Sequence, residues 1–315
     1  MEKRIAYFNG DFVPEAQAKV SIYDTALATG EKMVEVSRTF NHTPYKLEDH
    51  LERLYRGLDV FQIDPGMNPQ QMAEATDETL HRNLPTESER VDWQILHYVS
   101  RGPAAQFEMI PDEDLKPTVI IHCIPLVNRL GKMAKKYTIG VDLVVVEQRA
   151  IPQEVISPQI KSNGRMDHVV GRLEAKRLKP GSTGVLLDQN GYLTEATGSS
   201  LFLVNDDRIQ TAPSSRVLNG FTREMIFDIA SKLGIPVEEQ DLTIADAMNA
   251  SEIFITSTVI CQVHARSFDG LVMNGGLLGP ITNQVRQAFI EEVGLDFAKQ
   301  AQEYDQVLRQ QGPLR

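Results

Sequence analysis

One segment of the chain has residue types that could bind an anion. Residues 218–223 precede and open an apolar helical pattern over 222–233, with Gly220 before it and Thr222 as its predicted N-cap. Glycine permits close approach of the backbone to a ligand, and the N–H groups at the positive end of a helix suit a phosphate. Because most helices begin in this way without binding anything, the motif alone also fits an ordinary capped helix.

Three charged residues elsewhere could act on a phosphorylated ligand. Arg53 lies on the polar edge of an amphipathic helix, where a guanidinium could fork onto two phosphate oxygens. Lys161 offers a primary amine, and Glu195, just after the Asn190-Gly191 turn, offers a carboxylate. Each of the three also fits a plain surface residue, and composition and periodicity do not choose between these interpretations.

Composition limits the classes of partner. The 315 residues include 32 Lys+Arg, 43 Asp+Glu and only 2 Cys, which gives a net charge of -11. This balance indicates an acidic globular protein of two domains that is repelled by nucleic acid and anionic membranes. The sequence has no stretch of roughly 18 apolar residues and no metal-spaced cluster of cysteines. We therefore expect a cytoplasmic protein that binds small molecules and no metal.

Two groups of elements must position the charged residues. Apolar periodicity in residues 1–127 predicts a small N-terminal domain, and the polar stretch 128–133 predicts an interdomain loop. Residues 134–315 predict a larger domain, and the mixed order of helices and strands indicates an α+β protein. The predicted elements are a hairpin over 5–13, a helix over 46–61, strands over 91–101, 117–127, 140–146, 200–204 and 253–257, a hairpin over 185–193, helices over 166–178, 222–233, 244–249 and from 281, and a loose tail after Tyr304.

Five ordered motifs together resemble the class IV, or fold type IV, pyridoxal-phosphate (PLP) aminotransferases. This group includes branched-chain and D-amino-acid aminotransferases, (R)-amine transaminases and aminodeoxychorismate lyases. The motifs are LEDHLERL over 47–54, IK at 160–161, NGYLTE over 190–195, GFTRE over 220–224 and FITST over 254–258. The resemblance implies a two-domain α+β fold, with a smaller N-terminal α/β domain and a larger C-terminal PLP domain of mixed sheets or a pseudo-barrel.

The resemblance also implies a role for each charged residue. Lys161 corresponds to the lysine that forms a Schiff base with PLP, Arg53 to the phosphate-binding arginine, and Glu195 to the acid that faces the pyridine nitrogen. Leu218 corresponds to the residue packed on the ring. The implied further cofactor contacts are Gly198, Ser199, Gly220, Phe221, Thr222, Ser257 and Thr258.

These residue types suit transamination. A carboxylate beside the pyridine nitrogen keeps it protonated, so the ring accepts the electrons released when the substrate Cα proton leaves. A primary amine both holds the cofactor and transfers that proton, and exchange between an amino acid and a 2-oxo acid then follows ping-pong kinetics.

The substrate is less clearly marked. The apolar character of the predicted entrance favours a hydrophobic amino acid, but the absence of an Arg-x-His pair after the strand 91–101 and the presence of Val36 leave D-amino acids, (R)-amines and a lyase reaction open. Arg38 and Arg101 fit a carboxylate contact and a structural salt bridge about equally. The candidate substrate contacts are Val34, Val36, Arg38, Arg101, Thr258 and Val259.

Two residues have no role that the sequence assigns, and the expected assembly depends on the resemblance alone. Arg165 and His168, close to Lys161, are unusual residues whose role the sequence does not determine. The resemblance implies a homodimer with shared active sites, in which the loop 102–108 following Arg101 reaches the partner subunit.

Overall fold

The chain folds into two compact units. The computed structural model describes residues 4–104, 116–162 and 164–312. The first unit comprises Met1–Leu126 and Ile160–Gly164, and the second comprises Val127–Gln159 and Arg165–Arg315. The short segment that carries Lys161 therefore belongs to the first unit, although the sequence assigns it to the larger domain.

The first unit is a six-stranded antiparallel sheet with two helices packed on one face. The sheet order is β2-β1-β6-β5-β3-β4. Leucines of α2 and Met72 of α3 pack on alternate residues of the strands, among them the fully buried Trp93 and Ile121. The elements are β1 Ile5–Phe8, β2 Asp11–Pro14, α1 Thr25–Ala28, β3 Lys32–Phe40, β4 Thr43–Pro44, α2 Leu47–Val60, α3 Pro69–Asn83, β5 Trp93–Ser100 and β6 Thr118–Pro125.

The second unit is built on a nine-stranded mixed sheet that curls on itself. The order is β12-β11-β10-β13-β14-β7-β8-β9, with β15 paired to β14, and a tight turn joins β9 back to β10. The elements are α4 Val127–Ile139, β7 Val141–Arg149, α5 Met166–Leu178, β8 Thr183–Leu187, β9 Leu193–Ala196, β10 Ser200–Asn205, β11 Arg208–Thr211, α6 Phe221–Leu233, β12 Val237–Glu239, α7 Ile244–Asn249, β13 Glu252–Ser257, β14 Cys261–Phe268, β15 Leu271–Val272, α8 Pro280–Val293 and α9 Phe297–Gln311.

Two predicted irregular segments are helical. Residues 128–133, predicted to be a loop, lie within α4, where a Cβ on Gly131 would approach the backbone carbon of Tyr304 to 2.9 Å. Gly131 thus serves close packing of α4 on α9 rather than a turn. The prediction of a loose tail after Tyr304 is also wrong. The helix α9 continues to Gln311 and buries Ala301 and Tyr304.

The described parts of the chain contain neither a membrane-spanning helix nor a metal-binding cluster. No helix within 4–104, 116–162 and 164–312 is long and apolar enough to cross a membrane. In the same ranges, no group of three His, Cys, Asp or Glu side chains is placed to hold a metal ion.

Candidate active site

The segment with Lys161 is attached to the edge of β3. The Val34 N–H donates to the Lys161 carbonyl at 3.4 Å, and Ser162 forms an antiparallel bridge with Met33. Ile160 packs on the hydrophobic core of the first unit. These contacts fix the backbone of the half-buried Lys161 beside the first residues of β3.

Glu35 joins Arg53 and His50 in a buried ionic group on the helical face of β3. Arg53 donates from Nε to Glu35 Oε2 at 2.9 Å and from Nη2 to Oε1 at 2.8 Å. His50 Nδ1 lies 2.9 Å from the same Oε1. Burial alone would raise the pKa of Glu35, but Arg53 and His50 outweigh it and hold that pKa well below its usual range.

Lys161 and Arg53 act on a common neighbour. Burial lowers the pKa of His50, and the positive charges of Arg53 and Lys161 lower it further, against the opposing effect of Glu35. The first unit therefore gathers a primary amine, a guanidinium and a carboxylate in one polar group. Such a group can hold a phosphorylated carbonyl compound and supply an amine to it.

The other face of β3 carries the two candidate valines. Val34 and Val36 alternate with Glu35 and pair in register with Tyr98 and Leu96 of β5. Val34 is buried and Val36 is half-buried. This face is apolar and suits a hydrophobic group.

Arg38 has a structural environment. It is 0% exposed, its Nε donates to the Thr39 carbonyl at 3.0 Å, its Nη2 lies 4.0 Å from Asp92 Oδ2, and its guanidinium stacks 4.2 Å from the centre of the Phe40 ring. The predicted substrate contact of Arg38 is therefore not supported, because reaching a ligand would require breaking these buried contacts.

Arg101 is partly exposed and holds a local turn. It donates to the carbonyls of Gln62 at 2.9 Å and Phe61 at 2.7 Å, and its Nε lies 3.2 Å from Glu31 Oε2. These contacts give it a structural role, while its proposed substrate role stays a prediction. In the loop 102–108, residues 105–108 lie outside the described residues.

In the second unit, α6 begins one residue earlier than predicted. Gly220 is the N-cap and has no side chain with which to cap the helix, so the predicted cap Thr222 is the second helical residue. A Cβ at Gly220 would meet only Ser200 Oγ, at 3.8 Å. A helix start of this kind presents the backbone N–H groups that suit an anion.

The remaining predicted phosphate contacts lie near this helix start. Ser200 pairs in register with Thr256, and β13 then ends at Ser257 and is followed by the turn that contains Thr258 and the buried Val259. The Thr256 hydroxyl is buried with no hydrogen-bond partner among the described residues. Sheet register thus brings the 256–259 turn and the start of α6 into one polar region.

Glu195 lies in β9 and is paired with two basic side chains of α5. Arg165 Nη2 donates to Glu195 Oε1 at 2.5 Å, and His168 Nε2 lies 3.5 Å from the same oxygen. Burial alone would raise the pKa of Glu195, but Arg165 and His168 lower it to about 2. Glu195 is therefore ionised across the neutral pH range.

The residues after Glu195 form a tight turn. Ala196 and Ser199 exchange both backbone hydrogen bonds, at 2.9 and 3.0 Å, while Gly198 adopts a positive φ of 92° and donates its N–H to His168 Nδ1 at 3.0 Å. The Gly198 N–H is thus used inside the protein. Leu218 is half-buried two residues before Gly220.

Glu35 and Glu195 should make the protein sensitive to acid. A carboxyl whose pKa is lowered on folding contributes stability above its unfolded pKa, and this contribution is lost as the pH falls. We expect each carboxyl to contribute on the order of 2–3 kcal/mol, and this contribution should be lost as the pH falls below about 4.5, down to about pH 2 for Glu195 and lower for Glu35. The measurement is the urea unfolding midpoint against pH. Glu35→Gln and Glu195→Gln should flatten this dependence. Glu52→Gln, in the exposed pair with Arg56, should leave it unchanged.

Sequence reasoning did not identify Glu35 and His50 as site residues. The available signal was the spacing of His50 and Arg53, which places both on one face of α2, together with a glutamate in an otherwise apolar strand. A buried strand glutamate requires a cationic partner. The contact with Arg53 could have been sought on that basis.

The chain is similar to known aminotransferases. A family model described as amino-transferase class IV matches residues 32–268. A Methanocaldococcus jannaschii protein that is named as a branched-chain-amino-acid aminotransferase is 31% identical over 284 residues. These residues cover 90% of this chain and 94% of that protein. The D-alanine aminotransferase of Listeria monocytogenes is 28% identical over 301 residues, covering 92% of this chain and 98% of that protein.

A solved structure extends the similarity to the fold. The Escherichia coli branched-chain amino acid aminotransferase matches with a TM-score of 0.83 and 28% identity, over 92% of this chain and 94% of that chain. The predicted two-part α+β fold is confirmed by this match.

Proposed function

The chain belongs to the class IV aminotransferases and is a PLP-dependent transaminase, and we propose that it moves an amino group between a hydrophobic amino acid and a 2-oxo acid. The observation that carries this proposal is the attachment of the Lys161 segment to β3, next to the buried group of Glu35, Arg53 and His50. Amino acid and 2-oxo acid substrates follow from the family.

The residues present fit PLP. A phosphate needs donors, and the start of α6 at Gly220, Phe221 and Thr222 would supply backbone N–H groups. Ser257, the last residue of β13, and Thr258, which follows it, would add contacts beside this helix start. In the first unit, the guanidinium of Arg53 is the proposed phosphate-binding group. Glu35 fixes the plane of that guanidinium through two hydrogen bonds.

Lys161 and Glu195 would have different roles toward the bound cofactor. PLP supplies an electron sink for the proton that leaves the substrate Cα. Lys161 would hold the cofactor through its amine and would move the proton at the substrate Cα. Glu195, ionised and buried, would accept a hydrogen bond from the ring nitrogen, and Leu218 would pack against the ring. Ser199 supports the turn after Glu195.

Several observations support a hydrophobic substituent on the substrate. Val34 and Val36 lie on an apolar face of β3 beside Leu96 and Tyr98 of β5. Val259 is an apolar residue in the turn of Thr258. We propose that Val34 and Val36, in the first unit, contact the substrate side chain. For the second unit, we propose that Val259 contacts the substrate and that the backbone of the 258–259 turn binds its carboxylate.

A second candidate keeps the chemistry and changes the donor. The D-alanine aminotransferase relative is 28% identical over nearly its full length, and Val36 departs from the branched-chain pattern. D-amino acids and (R)-amines are therefore alternative donors, with an aminodeoxychorismate-lyase-like reaction as a further option.

A panel of single donors tests these alternatives. The purified protein reconstituted with PLP is expected to be yellow and, with L-leucine and no acceptor, to release one equivalent of oxo acid per bound cofactor. D-alanine and (R)-1-phenylethylamine should react at least about tenfold more slowly, since one pocket methylene alone changes selectivity by 10–200-fold. The measurement is rapid-mixing absorbance together with product quantification.

The panel also has outcomes that contradict the proposal. Preferred release of product from D-alanine or from (R)-1-phenylethylamine would transfer the assignment to the second candidate. Continued turnover of a donor without an acceptor would indicate a lyase, and a protein that gains no absorbance with PLP would exclude all of these functions. A homodimer and a cytoplasmic location stay predictions for this chain.

A further inference from the structure

Arg165 and His168 form a clamp on one oxygen of Glu195. Arg165 is the N-cap residue of α5 and His168 is the third residue of that helix, so both side chains lie on the same side of its first turn. Their contacts with Glu195, at 2.5 Å and 3.5 Å, both involve Oε1. Within the described residues, no recorded contact of this carboxylate uses Oε2.

The His168 ring has a defined orientation. Because a backbone N–H can only donate, the bond from Gly198 N–H to Nδ1 requires an unprotonated Nδ1 and places the ring proton on Nε2. Nε2 lies 3.5 Å from Glu195 Oε1 and makes no hydrogen bond within the described residues, so His168 acts on that oxygen through a longer electrostatic contact. The tight turn after β9, which follows Glu195 directly, thus also orients the histidine that contacts it.

The other acid beside His168 is a weaker partner. Asp167 Oδ2 lies 3.9 Å from His168 Nε2 and accepts the Ile151 N–H at 3.2 Å. Glu195 Oε1 is nearer to His168 and is also bonded to Arg165. The two basic side chains therefore act chiefly on Glu195.

A cofactor ring nitrogen bonded to Oε2 of Glu195 would share one proton with this carboxylate. The shared proton has two possible positions: on the nitrogen, with Glu195 ionised, or on Glu195, with both groups neutral. A buried environment favours the neutral pair. The Arg165 charge lies on the carboxylate side, closer to the negative end of the ionised pair than to its positive end, and it therefore favours ionisation.

We propose that Arg165 and His168 are positioning residues that present Oε2 of Glu195 to the cofactor ring and keep the shared proton on the ring nitrogen. This inference rests on the proposed function. It gives a role to the two residues that neither the family resemblance nor the spacing explains. The electron sink of the bound cofactor depends on that proton, so the clamp sets the rate of Cα proton removal.

The direct test is the ¹⁵N chemical shift of the ring nitrogen in protein reconstituted with ring-¹⁵N-labelled PLP. The wild type should show the shift of a protonated pyridine, and Arg165→Gln should move toward the unprotonated value. The first half-reaction should slow by about 10–100-fold, as is typical when an outer partner of a site residue is removed. Arg165→Lys, which keeps the charge, should stay near the wild-type shift.

Two further variants complete the test. Arg172→Gln, on the exposed side of the same helix, should leave the shift and the rate unchanged. His168→Phe keeps a ring but removes the Nε2 donor, and it should move the shift in the same direction as Arg165→Gln by a smaller amount.

The outcomes separate this inference from the proposed function. If the wild type does not bind PLP, the proposed function fails and the clamp fails with it. If the wild type binds PLP but Arg165→Gln keeps the protonated shift, only the clamp is overturned. If Arg165→Gln does not fold, His168→Phe decides: a wild-type shift overturns the clamp, and a partial move toward the unprotonated value supports it.

Discussion

Replacing Lys161 by alanine is expected to lower kcat by about 10⁴-fold, because the side chain both anchors PLP and transfers the Cα proton. The variant should also lose the imine absorbance of the wild type. Its fold should persist, since the segment is attached to β3 through the Lys161 carbonyl and the Ser162 backbone, which the substitution leaves in place. The measurements are steady-state rates and the absorbance spectrum with added PLP.

A chemical rescue distinguishes a lost amine from a damaged fold. Methylamine supplied in solution should raise the rate of Lys161→Ala severalfold and leave the wild type unaffected. Lys176→Ala, an exposed lysine on α5, is the matched control and should retain the wild-type rate and spectrum. Retention of more than a tenth of the activity in Lys161→Ala would show that another group performs the proton transfer.

Replacing Glu35 by glutamine is expected to lower the free energy of unfolding by about 3–5 kcal/mol, the usual cost of removing one partner from a buried ion pair. Arg53, 6% exposed, would keep a buried charge without its carboxylate, and His50 would lose its 2.9 Å contact. The unfolding midpoint in urea measures this effect. The affinity for PLP should fall in parallel, because Glu35 orients the Arg53 guanidinium.

A control on α2 separates the effect of burial on stability from the effect of losing a charge. Glu52 and Arg56 also pair at 2.8 Å, but their side chains are 71% and 61% exposed, so Glu52→Gln should cost less than about 1 kcal/mol. In the double variant Glu35→Gln, Arg53→Gln the cost should be smaller than the sum of the single costs, because the two residues interact directly. A loss below 1 kcal/mol for Glu35→Gln would contradict a buried ionic role.

The elements predicted most closely are those whose boundaries depend on local signals. The helix 166–178 and the helix 244–249 were predicted with the boundaries that the structure has, and α6 differs by one residue. Apolar periodicity and terminal glycines act within a few residues, so they are visible in the sequence. The same reasoning failed at 128–133, because Gly131 serves close packing on α9, where its neighbour Tyr304 lies 173 residues further along the chain.

The sequence by itself determined the family, through the order and spacing of five motifs, and with it a specific candidate for each cofactor role, above all Lys161, Arg53 and Glu195. Only the tertiary structure decided which side chains surround these residues. Glu35 reaches Arg53 from a strand 18 positions away, and Arg165 reaches Glu195 across 30 positions. Arg38 lies in the interior for the same reason. It contacts Thr39 in β3 and Asp92, which is 54 residues further along the chain. Charge pairing is set by distance in space and by burial, and neither quantity can be obtained from the spacing of residues along the chain.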